Sequence, residues 1–385
     1  MTLWSVVNHG TAEKPRSHGW TRALLLALLA VLVVGVGAVL VPRDAGKPQA
    51  LPFSETARSE ALSATEALLD SASLLEGTTP GGAAGEASGG SGLPDSVTLL
   101  TNQARALLPP SGQPASSASR TPGGASPKPP SPGSVSPSSA ATPDTTTPTA
   151  FVSALSSSAS RRLADAAQAD GGTARLLAAV GTSQLLESSR LATIWGLPVP
   201  EATPGATPAP TPAPSCPALP GMSATAAPPP GTASSRADLP AAVGAVVSSE
   251  QEAIYAYQVA LTKLDAKASA TAATWLARHQ ELLRGAEAQG RLHCVATPPR
   301  EAGYRLPASF AAKPGAALGG MEASSLTAYA DLVALSDGET RQWAIDGLVD
   351  AAKRSQAWGT PVGPFPGLSI DSAALPPLPS STPAP

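Results

Sequence analysis

Residues 250–257 read EQEAIYAY, and seventy-two positions later residues 322–329 read EASSLTAY. Each stretch opens on Glu, carries a branched aliphatic residue four positions on (Ile254, Leu326) and closes on Ala-Tyr. Tyr therefore follows Glu by seven residues in both, about two turns of an α-helix, which puts the pair on one face. Around the first stretch, Val243, Val247, Glu250, Ile254, Tyr257, Leu261 and Leu264 recur at alternating spacings of 4 and 3. That is the core seam of a long helix. Glu250 stands in it where an aliphatic residue is expected. Around the second, Leu318, Glu322, Ser325, Tyr329 and Leu332 repeat the arrangement. The pattern predicts two helices, each burying one Glu and one Tyr.

Working outward, Asp238 and Pro240 are start signals for the first of these helices. A second helix spans about 269–292, with Trp275, His279, Leu282 and Ala286 on its seam, so His279 also faces inward. Pro298-Pro299 and Pro307 keep residues 293–313 from being helical throughout and make them a long connection. A third helix follows Pro314. Ser336 and Glu339 match a capping box for a fourth, from 340 to about 358, with Ile345, Leu348, Val349 and Ala352 as its apolar stripe. Arg341, Lys353 and Arg354 read as a solvated face of that helix. Asp346 and Asp350 read as facing solvent, Lys353 or Arg354. Residues 237–359 are thus expected to form an all-α bundle of two hairpins joined by one long crossover. All four Tyr and three of the six Trp fall within it, and large aromatic side chains dominate core energetics.

The remainder of the 385 residues is poorer in large apolar side chains and rich in Pro and Gly, 42 and 35 in the whole chain. Residues 23–41, ALLLALLAVLVVGVGAVLV, are an uncharged apolar run. As a helix it rises about 28 Å, close to the hydrocarbon thickness of a bilayer. The sequence after it lacks a good cleavage site, so the run reads as an uncleaved signal-anchor. Lys14, Arg16 and Arg22 before it favour a cytoplasmic N-terminus at 1–22, with the bulk of the chain extracytoplasmic. Residues 51–108 carry helical segments, and 109–149 form a Pro/Ser-rich linker. A helical hairpin, broken at Asp170-Gly171-Gly172, occupies 150–196. A Pro/Ala/Thr-rich linker follows at 197–236, and 360–385 read as a disordered tail. The only cysteines are Cys216 and Cys294. Outside the cytoplasm such a pair is expected as a disulfide rather than as two thiols. His293 beside Cys294 supplies too few ligands for a metal site.

Several classes of function are not supported by the sequence. The net charge of −3 comes with no basic block, so nucleic acid is not an expected partner. There is no glycine loop opening a helix, no Cys-x-x-Cys and no G-x-S-x-G elbow.

Four helices with one long crossover is ferritin-like connectivity. The Trp residues at 275, 343 and 358, the Pro298-Pro299 loop and the Y-x-L-P at 304–307 resemble an actinobacterial ferritin-like family of unknown function found in cell-envelope proteins. The resemblance covers roughly 237–370. It implies a site where Glu250 and Glu322 match the single-Glu positions of a di-iron centre and His279 the His of the second helix. Two departures count against a di-metal centre. Leu276 stands three residues before His279 where Glu is required, and the fourth helix has no His. What remains is a polar core without cofactor, in which the acids hydrogen-bond to Tyr hydroxyls, His279 or Arg side chains. The alternative is one iron, manganese or zinc ion held by Glu250, His279 and Glu322. The expected function is a non-catalytic binding or structural module, not an enzyme, anchored in the membrane through 23–41 and meeting an envelope partner that the sequence does not name.

Overall fold

Short polar side chains set where the helices begin. In the computed structural model, which describes residues 51–78, 92–109, 147–200 and 238–379, Thr147, Asp170, Asp238 and Asp265 each accept a hydrogen bond from the backbone N–H three residues on. Each satisfies a donor that the first helical turn leaves free. The described helices are α1 (Phe53–Thr78), α2 (Leu93–Leu107), α3 (Pro148–Gln168), α4 (Gly171–Ile194), α5 (Leu239–Ala260), α6 (Ala266–Leu292), α7 (Pro314–Leu335) and α8 (Gly338–Ala357). No strand occurs among the described residues, so the described fold is all-α. The capping box expected ahead of α8 does not form. The cap is Asp337, without a side-chain bond, and Ser336 Oγ donates back to the Leu332 carbonyl at 2.5 Å.

The pairs α1–α2, α3–α4, α5–α6 and α7–α8 pack against each other as hairpins. Between hairpins, α5 lies along α7. Tyr257 meets Glu322 while Glu250 meets Tyr329, so the two helices run antiparallel. Helices α6 and α8 also run antiparallel, since Arg278 bonds Asp350 and Gln289 bonds Thr340. Asp350 is therefore tied to α6, while Asp346, half-buried, bonds Gln342 and lies within reach of the Lys353 charge, as expected. The connection 293–313 crosses from α6 to α7, pinned to α5 where Gln251 donates to the Pro298 carbonyl and accepts from Tyr304.

Two expectations are corrected. The bundle at 237–359 is not separate from the helices before it, because α4 packs against α7 and α8 and all eight helices belong to one compact unit. The physical reason is that the middle of α4 has no solvent face. Every residue from Leu177 to Ser188 is buried, and a helix buried on all sides needs neighbours on all sides. Gly171, expected in the hairpin break, opens α4 and abuts α7. A Cβ there would lie 2.1 Å from the Ala334 carbonyl oxygen.

The second correction concerns 360–379, since 380–385 lie outside the described residues. Residues 360–379 follow a defined course across α4 and α2. Phe365 is buried against Ala179 and Val180. Ser183 donates to the Gly363 carbonyl, Arg175 to Gly367 and Gln103 to Pro364. Gly367 takes φ 77°, and a Cβ would meet the Leu326 carbonyl at 2.5 Å. A Pro-rich chain donates few backbone hydrogen bonds, but its carbonyls accept from side chains of the helices it crosses.

The apolar run 23–41, the segment 1–22, most of both linkers and Cys216 lie outside the described residues. No described helix is long and apolar enough to cross a membrane. The pairing of Cys216 with Cys294 stays an expectation.

Candidate functional site: a charge-balanced polar core with an adjoining groove

The seam positions of four helices converge at the centre of the α5–α8 bundle. Helix α5 supplies Glu250 and Tyr257, α7 supplies Glu322 and Tyr329, α6 supplies His279 and α8 supplies Arg354. None of the six is more than 2% exposed. Buried charges are tolerated only when paired and hydrogen-bonded, and here they are paired with one another. Tyr257 donates to Glu322 Oε1 at 2.7 Å, and Tyr329 donates to Glu250 Oε1 at 2.8 Å. The repeated Glu and Tyr of the sequence are thus a reciprocal exchange, each helix's hydroxyl serving the other's carboxylate. Between the acids stands His279, with Nδ1 2.7 Å from Glu250 Oε2 and Nε2 2.8 Å from Glu322 Oε1. Arg354 Nε donates to Glu322 Oε2 at 2.9 Å. Trp358 Nε1 extends the chain by donating to the Tyr257 hydroxyl at 2.7 Å.

The ionisation states follow from these contacts. Burial works against a charged His279, but hydrogen bonds to Glu250 and Glu322, with their charges, outweigh it and raise its pKa. With a carboxylate at each nitrogen, both nitrogens donate and the ring is an imidazolium. Burial also opposes the Glu322 carboxylate, yet the His279 bond and the Arg354 charge hold its pKa below the ordinary value. Burial and the neighbouring carboxylates push both tyrosines upward, so they remain donors. Arg354 is held charged by Glu322 and Glu250 against the cost of burial. Two carboxylates face two cations, and the core is neutral.

This fixes a pH dependence. His279 is raised on folding, so its contribution is complete below its ordinary value of 6.5 and is lost as pH rises through its folded value. Glu322 is lowered, so its contribution is complete above 4.5 and is lost as pH falls through its folded value. Thermal unfolding across the pH range should give highest stability between about 4.5 and 6.5. The His279→Gln variant should lose the decline on the alkaline side. An alkaline limb of equal slope in that variant would refute the imidazolium.

The sequence reading nominated Glu250, His279 and Glu322, and the structure brings all three together. It does not make them converge. The two ring nitrogens of an imidazole point away from each other, and each already meets one carboxylate. An ion on one nitrogen would have the second carboxylate across the ring, so the placement does not fit one ion shared by all three. Among the described residues no three His, Cys, Asp or Glu side chains are placed to hold a metal together.

Arg354 corrects the reading of a solvated face, being fully buried, and Arg341 is buried beside Ser336 and Ala169. A signal for Arg354 was present. Ala344, Gly347, Ala351 and Arg354 follow at spacings of 3, 4 and 3 and are all buried. The inner face of α8 is therefore its small-residue face, because Tyr329 fills the space.

Beside this core a groove of about 930 Å³ opens between α5 and α7. Tyr257 and Glu322 form part of its floor, and the end of the crossover, 305–313, walls it where α7 begins.

No curated protein and no solved structure matches the chain. The family described as Domain of unknown function (DUF4439) matches residues 242–370, the part of the chain that holds the polar core, the groove and the first turns of the ordered tail.

Proposed function

We propose that this is a non-catalytic binding module of the cell envelope, held to the membrane by residues 23–41, with its bulk extracytoplasmic and Cys216 paired to Cys294. Its α5–α8 domain is ferritin-like in connectivity, a reading supported by the two hairpins and the single long crossover. One observation carries the non-catalytic reading. Glu250, Glu322, His279 and Arg354 offset one another's charge through hydrogen bonds that use every carboxylate oxygen and both imidazole nitrogens, although Nη1 and Nη2 of Arg354 are buried without a partner among the described residues. A general base or metal ligand needs an atom free for its task, and here each carboxylate oxygen and each imidazole nitrogen already takes part in a hydrogen bond. The groove between α5 and α7 is what remains open to a ligand.

The test is to express the full chain, recover it from the membrane fraction and measure its metals by elemental analysis. The expected result is protein that detergent releases and carbonate does not, with substoichiometric iron, manganese and zinc. One metal ion per chain, abolished in Glu250→Gln, would overturn the proposal in favour of a metal protein.

A further inference from the structure

The groove is asymmetric along its length. It runs beside α5 from Ala245 to Tyr257, roughly 18 Å at 1.5 Å per residue. Because α5 and α7 are antiparallel, Lys313 and Arg305 stand at the Tyr257 end, and Ala328 lies toward the Ala245 end. Neither cation has a side-chain hydrogen bond or ion pair among the described residues.

The walls between are mostly of small side chains, with Met321 among them. Ala316, Gly320, Ser324 and Ala328 recur every four residues on α7, facing Ser249 and Ala253 of α5. The hydroxyls of Ser324 and Ser325 are spent on the carbonyls of Gly320 and Glu322 in their own helix, so these serines offer little but carbon to the groove. Glu252, half-exposed on the outer wall, can turn its carboxylate to water.

Resting on the reading of a membrane-held binding module, we propose that this groove takes an anionic phospholipid. Its phosphate lies between Arg305 and Lys313, and one acyl chain lies along the small-residue walls toward Ala245 and Ala328. The walls are helical, with their backbone donors and acceptors already used. An extended peptide laid there would leave its amides without partners, whereas an acyl chain has none to satisfy. A partner helix would satisfy its own backbone, but two unpaired cations at one end and none at the other match a ligand with an anionic head and an uncharged tail.

The test uses the full chain in non-ionic detergent, titrated with phosphatidylglycerol and read by native mass spectrometry. Two variants accompany it. Arg305→Glu with Lys313→Glu removes the head site. Gly320→Trp blocks the groove, at a position where an added Cβ meets nothing within 4 Å, so the fold is retained. The expected result is one saturable phosphatidylglycerol per chain, bound roughly thirtyfold more weakly by the charge variant and lost in Gly320→Trp. Binding untouched by both variants would put the lipid elsewhere and overturn the proposal. So would equal binding of phosphatidylcholine, full displacement by inorganic phosphate, or no adduct. Metal content measured on the same sample keeps the two readings apart. Metal-free protein that binds no lipid sinks only the lipid, and a stoichiometric metal sinks the binding module.

Discussion

Arg354→Leu is expected to destabilise the protein by about 3–5 kcal/mol at neutral pH, the range for breaking a buried ion pair from one side. Arg354 is fully buried and supplies one of the two positive charges facing Glu250 and Glu322. Without it two carboxylates share the imidazolium of His279, and a net negative charge is left where water cannot reach. The deficit should shrink in acid. The native chain holds Glu322 below the ordinary carboxylate value with help from Arg354, so it gives up that stabilisation as pH falls, whereas the variant never had it. Urea unfolding of both proteins at pH 7 and pH 4 reads the difference. A loss of equal size at both values would mean that Arg354 acts through packing alone. Replacing both acids, Glu250→Leu with Glu322→Leu, is destabilising for the complementary reason. His279 can shed its proton, but Arg354 cannot, and a bare guanidinium stays buried. Only joint replacement of acids and cations by apolar residues of similar volume approaches neutrality.

How far the sequence foretold this core depends on whether the deciding contact is local. Glu250 and Tyr257 are one seam of one helix, as are Glu322 and Tyr329, and a period of 3.6 residues is visible in the chain itself. His279 follows from the same rule. The crossover is legible because Pro298, Pro299 and Pro307 forbid a helix. Arg354 is not marked by any apolar stripe, since its face of α8 is built from Ala344, Gly347 and Ala351. It is marked by the spacing of those small residues and by a charge argument, in that two buried acids and one His leave one negative charge unmatched. The burial of α4 is harder still to foresee. Its own residues mix five Leu with small and polar side chains, and their burial is decided by α3, α7, α8 and the segment 360–379. That segment looks unstructured because Pro and Gly forbid regular elements. Its order comes from Arg175, Ser183 and Gln103, which lie far away in sequence.

Gly347→Val is expected to cost about 3–4 kcal/mol, although the glycine is not in the polar core itself. A Cβ at Gly347 would lie 2.1 Å from Tyr329 Cε1 and 2.5 Å from Cδ1. The ring is fully buried and is flanked by Trp343 at a centroid distance of 5.8 Å. With no empty space to enter, the ring must shift along α7 or push α8 outward. Overpacking of this kind costs about 1–3 kcal/mol. Any shift of the ring also withdraws its hydroxyl from Glu250, and a lost bond to a buried carboxylate costs about 1.5–3 kcal/mol. The two costs arise from one displacement and are not fully additive. A double-mutant cycle separates them. Tyr329→Phe alone removes the hydroxyl and keeps the ring. If Gly347→Val has already broken the Tyr329–Glu250 bond, adding Tyr329→Phe to it should cost less than Tyr329→Phe costs in the native chain. Full additivity would mean that α8 yields and the ring stays. Gly320→Val, on the open side of α7 with nothing within 4 Å of its Cβ, supplies the control. It should leave stability unchanged or raise it by a few tenths of a kcal/mol, since Val is the better helix former.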